Sequence, residues 1–96
     1  MAIKVIVELQ TQPGQRDALK RLLQELIAAQ GSRDGFLGST RYEVLDNPDM
    51  LLEVADWESV ESRTVHMQEA AATGAYAPLF DLLAVPFRAT VVRELP

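Results

Sequence analysis

The middle of the chain places a short turn between two strand patterns, and this constrains the fold more than any other feature. Residues 46–49 read Asp-Asn-Pro-Asp, and these residue types favour turns because Asn and Asp bond the nearby backbone while Pro fixes φ. Residues 36–45 alternate along one strand, and the apolar residues 50–57 are typical of a second. The sequence therefore predicts an antiparallel hairpin.

A strand and a helix precede this hairpin. Residues 3–9 are mostly Val and Ile, which indicates a strand buried on both faces. After a break at Pro13-Gly14, the spacing predicts a helix over residues 15–30, and Gly31 is a natural stop at its end. The apolar stripe that predicts the packed face of this helix consists of Leu19, Leu22, Leu23, Leu26 and Ile27.

Two helical segments and a last strand follow the hairpin. Ser59 is a good N-cap, so a helix is predicted from there to about residue 72. A short helical piece is expected at residues 76–83, and a strand at residues 87–95 begins directly after a proline, which strand starts tolerate. The order is βαββαβ, in a single domain over residues 1–96.

This order predicts an α+β, ferredoxin-like fold. Right-handed crossovers place the four strands in one antiparallel sheet with the helices on one face. Alternate residues of strand two point to opposite faces. The uncovered face therefore carries either the residues that share a face with Thr40 and Tyr42 or the residues between them. Because Val5, Val7 and Val91 are too apolar for a bare surface, we expect a homodimer that buries this face.

Composition argues against several classes of function. The net charge of −5 disfavours a nucleic-acid partner, since phosphate binding needs a basic face. The sequence contains no cysteine, and hence no disulfide, catalytic thiolate or thiolate metal site. No apolar run approaches the roughly 20 residues of a membrane span, and no signal-peptide pattern precedes the first strand. We expect a cytoplasmic protein without a membrane partner.

The only Trp and the only His of the sequence fall close together. Trp57 ends the third strand, and His66 lies on the next helix, on one face with Arg63. Trp57 is either a platform for a planar substrate or a large residue that seals the sheet. His66 is either a base, with an ordinary pKa of about 6.5, or a structural helix residue. A lone His is a weak signal for a metal, and we expect no metal site.

Glu53 shares a strand face with Trp57, since alternate residues point the same way. Buried there, its carboxyl would have a raised pKa and could serve as the alternative base. The other interpretation is a cross-strand pair with Arg41 or Arg93.

Three further aromatic residues are candidates for substrate binding. Tyr42, Tyr76 and Phe80 would line an apolar cavity if the segment 76–83 folds over the sheet. The alternative is that they belong to the ordinary core.

Several of these segments together resemble the antibiotic biosynthesis monooxygenase family. The resemblance spans about residues 3–94 and implies a dimeric α+β barrel. The segments that carry it are Pro13-Gly14 before helix one, Asp34-Gly35-Phe36 at strand two, Tyr42-Glu43-Val44 before the hairpin turn, and Trp57-Glu58-Ser59 followed by His66.

The resemblance implies oxygenation of a small quinol- or anthrone-like aromatic with O₂, without a metal or organic cofactor. In such chemistry the ionised substrate supplies the electrons, so the protein needs only an apolar pocket, a base and hydrogen-bond donors. Family members that oxidise anthrones have an Asn where this chain has Glu53, so the amide role does not carry over. Two alternatives stay open: a non-catalytic ligand-binding or scaffold dimer, and a proton-transfer isomerase that uses His66 or Glu53 without O₂.

Overall fold

The protein folds into one four-stranded antiparallel sheet with three helices, in a computed structural model that describes residues 2–30 and 34–96. The strand order β2-β3-β1-β4 is that of a ferredoxin-like α+β fold, as predicted. The expected helix stop at Gly31 lies outside the described residues. The elements are β1 (Ile3–Gln10), α1 (Arg16–Gln30), β2 (Phe36–Glu43), β3 (Met50–Trp57), α2 (Val60–Thr73), α3 (Ala77–Leu82) and β4 (Arg88–Val92).

The first strand is central in the sheet, which explains its Val- and Ile-rich sequence. β1 pairs antiparallel with β3 on one side and with β4 on the other. β3 has the predicted bounds, whereas β2 ends at Glu43 and β4 spans only Arg88–Val92, so both are shorter than their patterns indicate. The edge strands are the ones that shorten, because they have a ladder on one side only.

A β-bulge in β2 changes which of its residues face the helices. Phe36 is opposite Trp57, and Gly38 is opposite Asp56, so the register shifts between Phe36 and Gly38. Gly38 has a φ of 130°, which favours glycine. One extra residue reverses the alternation beyond it. Phe36 therefore shares the helix-facing side with Arg41, whereas unbroken alternation would place it on one face with Tyr42.

The core lies between the sheet and the helices and confirms the predicted stripe of α1. Leu19 and Leu23 are buried, and Leu22 and Leu26 pack at the edge of the same cluster. That cluster consists of Leu9, Leu19, Leu23, Leu51, Leu79 and Leu83, and a second one of Ile3, Val5, Ala55 and Trp57.

The uncovered face of the sheet carries different apolar residues from those expected. Val5 and Val7 face the helices, since Val5 belongs to the core and Val7 packs against it. Because neighbours along a strand point to opposite faces, the uncovered face is formed by the alternate set. Its apolar members are Ile6, Met50, Leu52, Val54 and Val92, which lie on one face with Thr40 and Tyr42.

Two caps fix the length and direction of α2. The Ser59 hydroxyl accepts a hydrogen bond of 3.1 Å from the Ser62 backbone N–H, which confirms the predicted N-cap. Gly74 ends the helix in the left-handed conformation, with φ of 68°, and its N–H donates to the Ala70 carbonyl. The chain thereby reverses, and Tyr76 returns beneath α2. None of the helices in the described residues is long and apolar enough to cross a membrane.

Candidate active site

A cavity lies between the helix-facing side of the sheet and the helices. It measures about 640 Å³, a volume that includes the part open to solvent. Most of its lining is apolar, as in small-molecule sites generally. The lining residues are Val5, Val7, Leu9, Leu23, Leu26, Ile27, Glu53, Ala55, Trp57, Arg63, His66, Met67, Tyr76, Leu79 and Phe87.

Trp57 forms one wall of this cavity and is almost fully buried. Its ring packs edge-on against Phe36, with centroids 5.1 Å apart, and lies tilted by 32° against His66 at 5.2 Å. Both interpretations of this residue are therefore compatible with its position. The indole seals the sheet against α2, and it also presents a surface to the cavity.

His66 and Tyr76 form a hydrogen-bonded pair at the cavity. The distance between Nε2 of His66 and the Tyr76 hydroxyl is 2.7 Å, and the tautomer of the imidazole decides which group donates. His66 is only 6% exposed, so it is buried rather than half-exposed on the helix surface. Two groups that each both donate and accept can pass a proton between them.

Glu53 also lines the cavity. Oε2 is buried without a hydrogen bond from any described residue. Burial raises the pKa of this carboxyl, and the positive charge of Arg41 offsets only part of that rise. A carboxyl whose pKa is raised toward neutrality can act as a general base or acid.

The register decides between the two predicted partners of Glu53. Arg41 is directly opposite Glu53 on β2, and the residue opposite it on its other side is Val7. No ion pair within 4.0 Å joins Arg41 and Glu53, and Nη1 of Arg41 is itself buried without a hydrogen-bond partner among the described residues. Arg93 follows β4, which is not adjacent to β3, so it is not the cross-strand neighbour.

Two predicted lining residues do not reach the cavity. Tyr42 is opposite Leu52 and is 50% exposed, on the uncovered face of the sheet. The bulge places Tyr42 there, because the extra residue reverses the alternation that begins at Phe36. Phe80 is 54% exposed and stacks on Phe87 at 5.9 Å, and it is Phe87 that borders the cavity. Tyr76 is the one aromatic of the predicted three that lines the cavity.

Arg63 and Met67 line the cavity but were not candidates from the sequence. Arg63 is three residues before His66 on α2, and residues at this spacing lie on the same helix face. The signal was therefore present in the sequence, but exposed arginines at helix surfaces are too common for spacing alone to select one. In the part of the chain that the structure describes, no group of three His, Asp or Glu residues is arranged to hold a metal ion.

The fold and the cavity define a small α+β protein with a mostly apolar pocket on the helix side of its sheet. The chain belongs to the antibiotic biosynthesis monooxygenase family, whose profile matches residues 2–77. No protein of curated function matches the chain in sequence.

Solved structures agree with this assignment. A Mycobacterium tuberculosis protein is 25% identical, with a TM-score of 0.83, and the match covers 100% of this chain and 97% of that protein. A candidate antibiotic biosynthesis monooxygenase from Chloroflexus aurantiacus is 26% identical, with a TM-score of 0.75 and coverage of 100% and 97%. One from Bordetella bronchiseptica, at 19% identity, TM-score 0.86 and coverage of 99% and 98%, is similar in fold alone.

Proposed function

We propose that this protein is a homodimeric, cofactor-independent monooxygenase that oxidises a small quinol- or anthrone-like aromatic with O₂. The observation that supports it most is the apolar cavity in which Trp57 and the hydrogen-bonded pair of His66 and Tyr76 meet. Membership of the family supports the class of reaction. The cavity supports the class of substrate, because its lining suits a planar apolar ring with few polar groups.

The aromatic ring of the substrate binds against Trp57. Val5, Val7 and Ala55 form the floor of the cavity on the sheet, and their apolar side chains favour burial of a hydrocarbon ring. Ring stacking on an indole adds specificity for a planar molecule. An apolar lining around the bound substrate keeps water away from the ionised intermediate.

The His66 imidazole removes the proton from the substrate. Its Nε2 is hydrogen-bonded to the Tyr76 hydroxyl, so a proton accepted at that hydroxyl can pass on to Nε2. The substrate O–H or C–H bond breaks, and an N–H bond forms on His66. Glu53, whose pKa is raised by burial, is the alternative base in the same cavity.

Once ionised, the substrate transfers one electron to O₂, and the two radicals combine to a peroxide. For an anthrone-like substrate, loss of water from that peroxide leaves a carbonyl. One methylene group and one O₂ thus yield one carbonyl and one water, and every electron comes from the substrate. The apolar lining and the donors at the cavity stabilise the anion that starts this sequence.

A proton-transfer isomerase is the second candidate, and Glu53 favours it. A buried carboxyl with a free oxygen could move a proton between two carbon atoms without any use of O₂. A dimer that binds a ligand without chemistry is the third outcome to be tested.

Oxygen consumption with a panel of quinols and anthrones separates these functions. A monooxygenase takes up O₂ with at least one of them, and Trp57→Ala should slow this uptake. An isomerase takes up none but exchanges a substrate C–H proton with deuterated solvent, which proton NMR detects. Binding without uptake or exchange would leave the ligand-binding function and reject both enzymes.

A further inference from the structure

Two charged side chains line the cavity, and neither is neutralised by the other. Within the described residues these are Glu53 on β3 and Arg63 on α2. No ion pair within 4.0 Å joins them. The Arg63 guanidinium takes part in no ion pair or side-chain hydrogen bond with any residue of 2–30 or 34–96. Arg63 is therefore a half-buried residue that lines an apolar cavity, and its five N–H donors have no side-chain acceptor among the described residues.

The position of Arg63 on its helix is unfavourable by local rules. α2 begins at Val60, so Arg63 is in the first turn, where the helix dipole disfavours a cation. Departures from local preference of this kind tend to mark functional positions. A bound anion would offset the unfavourable interaction, because it would place negative charge near the guanidinium.

Arg63 and the His66–Tyr76 pair can contact the same bound molecule. Residues three apart on a helix have Cβ atoms roughly 5–6 Å apart, and both Arg63 and His66 border the cavity. The long side chain of Arg63 has several rotatable bonds, so its guanidinium can reach a group on a ring that also contacts the His66–Tyr76 pair. One polar group of the ring would then lie at the Tyr76 hydroxyl and another at the guanidinium.

We propose that the cavity selects a hydroxylated aromatic carboxylate, whose carboxylate binds Arg63 while its ring hydroxyl lies at the His66–Tyr76 pair. This rests on the proposed function in that the hydroxyl is the group that ionises. The planar guanidinium fits a carboxylate through two parallel hydrogen bonds. Burial also favours the neutral form of Glu53, which reduces the repulsion that an anionic substrate would meet.

Binding of two matched probes tests this proposal. The probes are 2,5-dihydroxybenzoate, a quinol with a carboxylate, and its methyl ester, which keeps the ring and both hydroxyls but lacks the charge. Calorimetry at neutral pH should show that the acid binds about 10- to 100-fold more tightly than the ester, since a hydrogen bond to a charged group contributes that much. The fluorescence of Trp57 should change with both probes, because it borders the cavity.

Three variants give the comparison its control. Arg63→Gln should remove the preference for the acid, and Arg63→Lys should keep part of it, because a Lys retains the charge without the planar fork. Arg21→Gln removes an exposed charge on α1 away from the cavity and should leave the preference unchanged. The ratio of the two affinities is the readout, so a general loss of binding does not imitate the result.

Equal affinity for acid and ester in the unchanged protein would overturn the proposal. So would a preference that survives in Arg63→Gln, or a failure of the acid to bind up to its solubility limit. These outcomes differ from failure of the proposed function, because binding is measured without turnover. A preference for the acid without any consumption of O₂ would support the carboxylate site and contradict the monooxygenase function.

Discussion

At the scale of single residues, the sequence indicates some members of the candidate site but not the contacts that join them. Trp57, His66 and Glu53 stood out because the first two are unique and the third shares a strand face with Trp57. The contact between His66 and Tyr76 was not predictable, because it depends on the reversal of the chain at Gly74. The direction in which the chain leaves such a turn depends on how the preceding helix packs, and the sequence does not give that.

Removing the His66 imidazole should greatly reduce turnover and should lower the stability of the fold only moderately. We expect His66→Ala to lower kcat by about 10²–10⁴-fold if the imidazole is the base. Because His66 is buried, the free energy of unfolding should also fall, by about 1–3 kcal/mol. Steady-state oxygen uptake and urea denaturation measure the two effects, with the exposed Val65→Ala on the same helix as control.

Tyr76→Phe distinguishes a shared proton path from a lone base. It removes only the hydroxyl that is bonded to Nε2 of His66. If the proton passes through this hydroxyl, turnover should fall by about as much as in His66→Ala, since the two residues act as a unit. Full activity in Tyr76→Phe would instead place the substrate directly at His66 or Glu53.

Glu53 should make the protein less stable as the pH rises. Burial raises its folded-state pKa above the ordinary value of 4.5, so the folded state binds this proton more tightly than the unfolded chain does. The stabilising effect of the proton is complete below the unfolded pKa and is lost as the pH rises through the folded pKa. Glu53→Gln should therefore be more stable than the unchanged protein at neutral pH, with a flatter dependence on pH.

Urea denaturation between acidic and neutral pH measures this difference. Glu25→Gln, which removes an exposed carboxylate from α1, is the matched control. If both variants show the same pH dependence of stability as the unchanged protein, burial does not raise the pKa of Glu53 in the folded state.

At the scale of elements, hydrophobic spacing predicted every helix and strand, but not where a strand was interrupted. The stripe of α1 and the apolar run of β3 follow from the periods of a helix and a strand. The bulge between Phe36 and Gly38 was missed because alternation does not reveal one extra residue. Because of this extra residue, Tyr42 lies on the uncovered face and not at the cavity.

Two leucines of α1 should respond differently to truncation. Leu19 is fully buried in the core, whereas Leu26 is only partly buried and borders the open cavity. Leu19→Ala leaves a new void in packed surroundings, so we expect a loss of about 3–5 kcal/mol in the free energy of unfolding. Leu26→Ala enlarges an existing cavity and should be less destabilising, with a loss of about 2 kcal/mol in the free energy of unfolding. Chemical denaturation of both variants measures the two losses. Equal losses, or a larger loss in Leu26→Ala, would mean that α1 is rotated on the sheet.

At the scale of the whole molecule, the sheet has helices on one side only. The middle row of its uncovered face carries Ile6 and Val54, which are opposite each other and are flanked by Thr40 and Thr90. Charged pairs lie at the two ends, where Lys4 bonds Asp56 at 2.6 Å and Arg88 is 3.8 Å from Glu8. An apolar centre with a charged rim is the usual anatomy of a protein interface.

The uncovered face should therefore bury itself against a second copy of the chain. We expect a homodimer in light scattering at micromolar concentration, with an interface above roughly 2,000 Å² in total. Val54→Glu places a charge in the middle of this face, where burial without a partner is strongly unfavourable, and it should give a monomer. Val65→Glu adds the same charge at a 53% exposed position on α2 and should remain dimeric. A protein that is monomeric without any substitution would contradict this prediction and show that Ile6 and Val54 meet solvent.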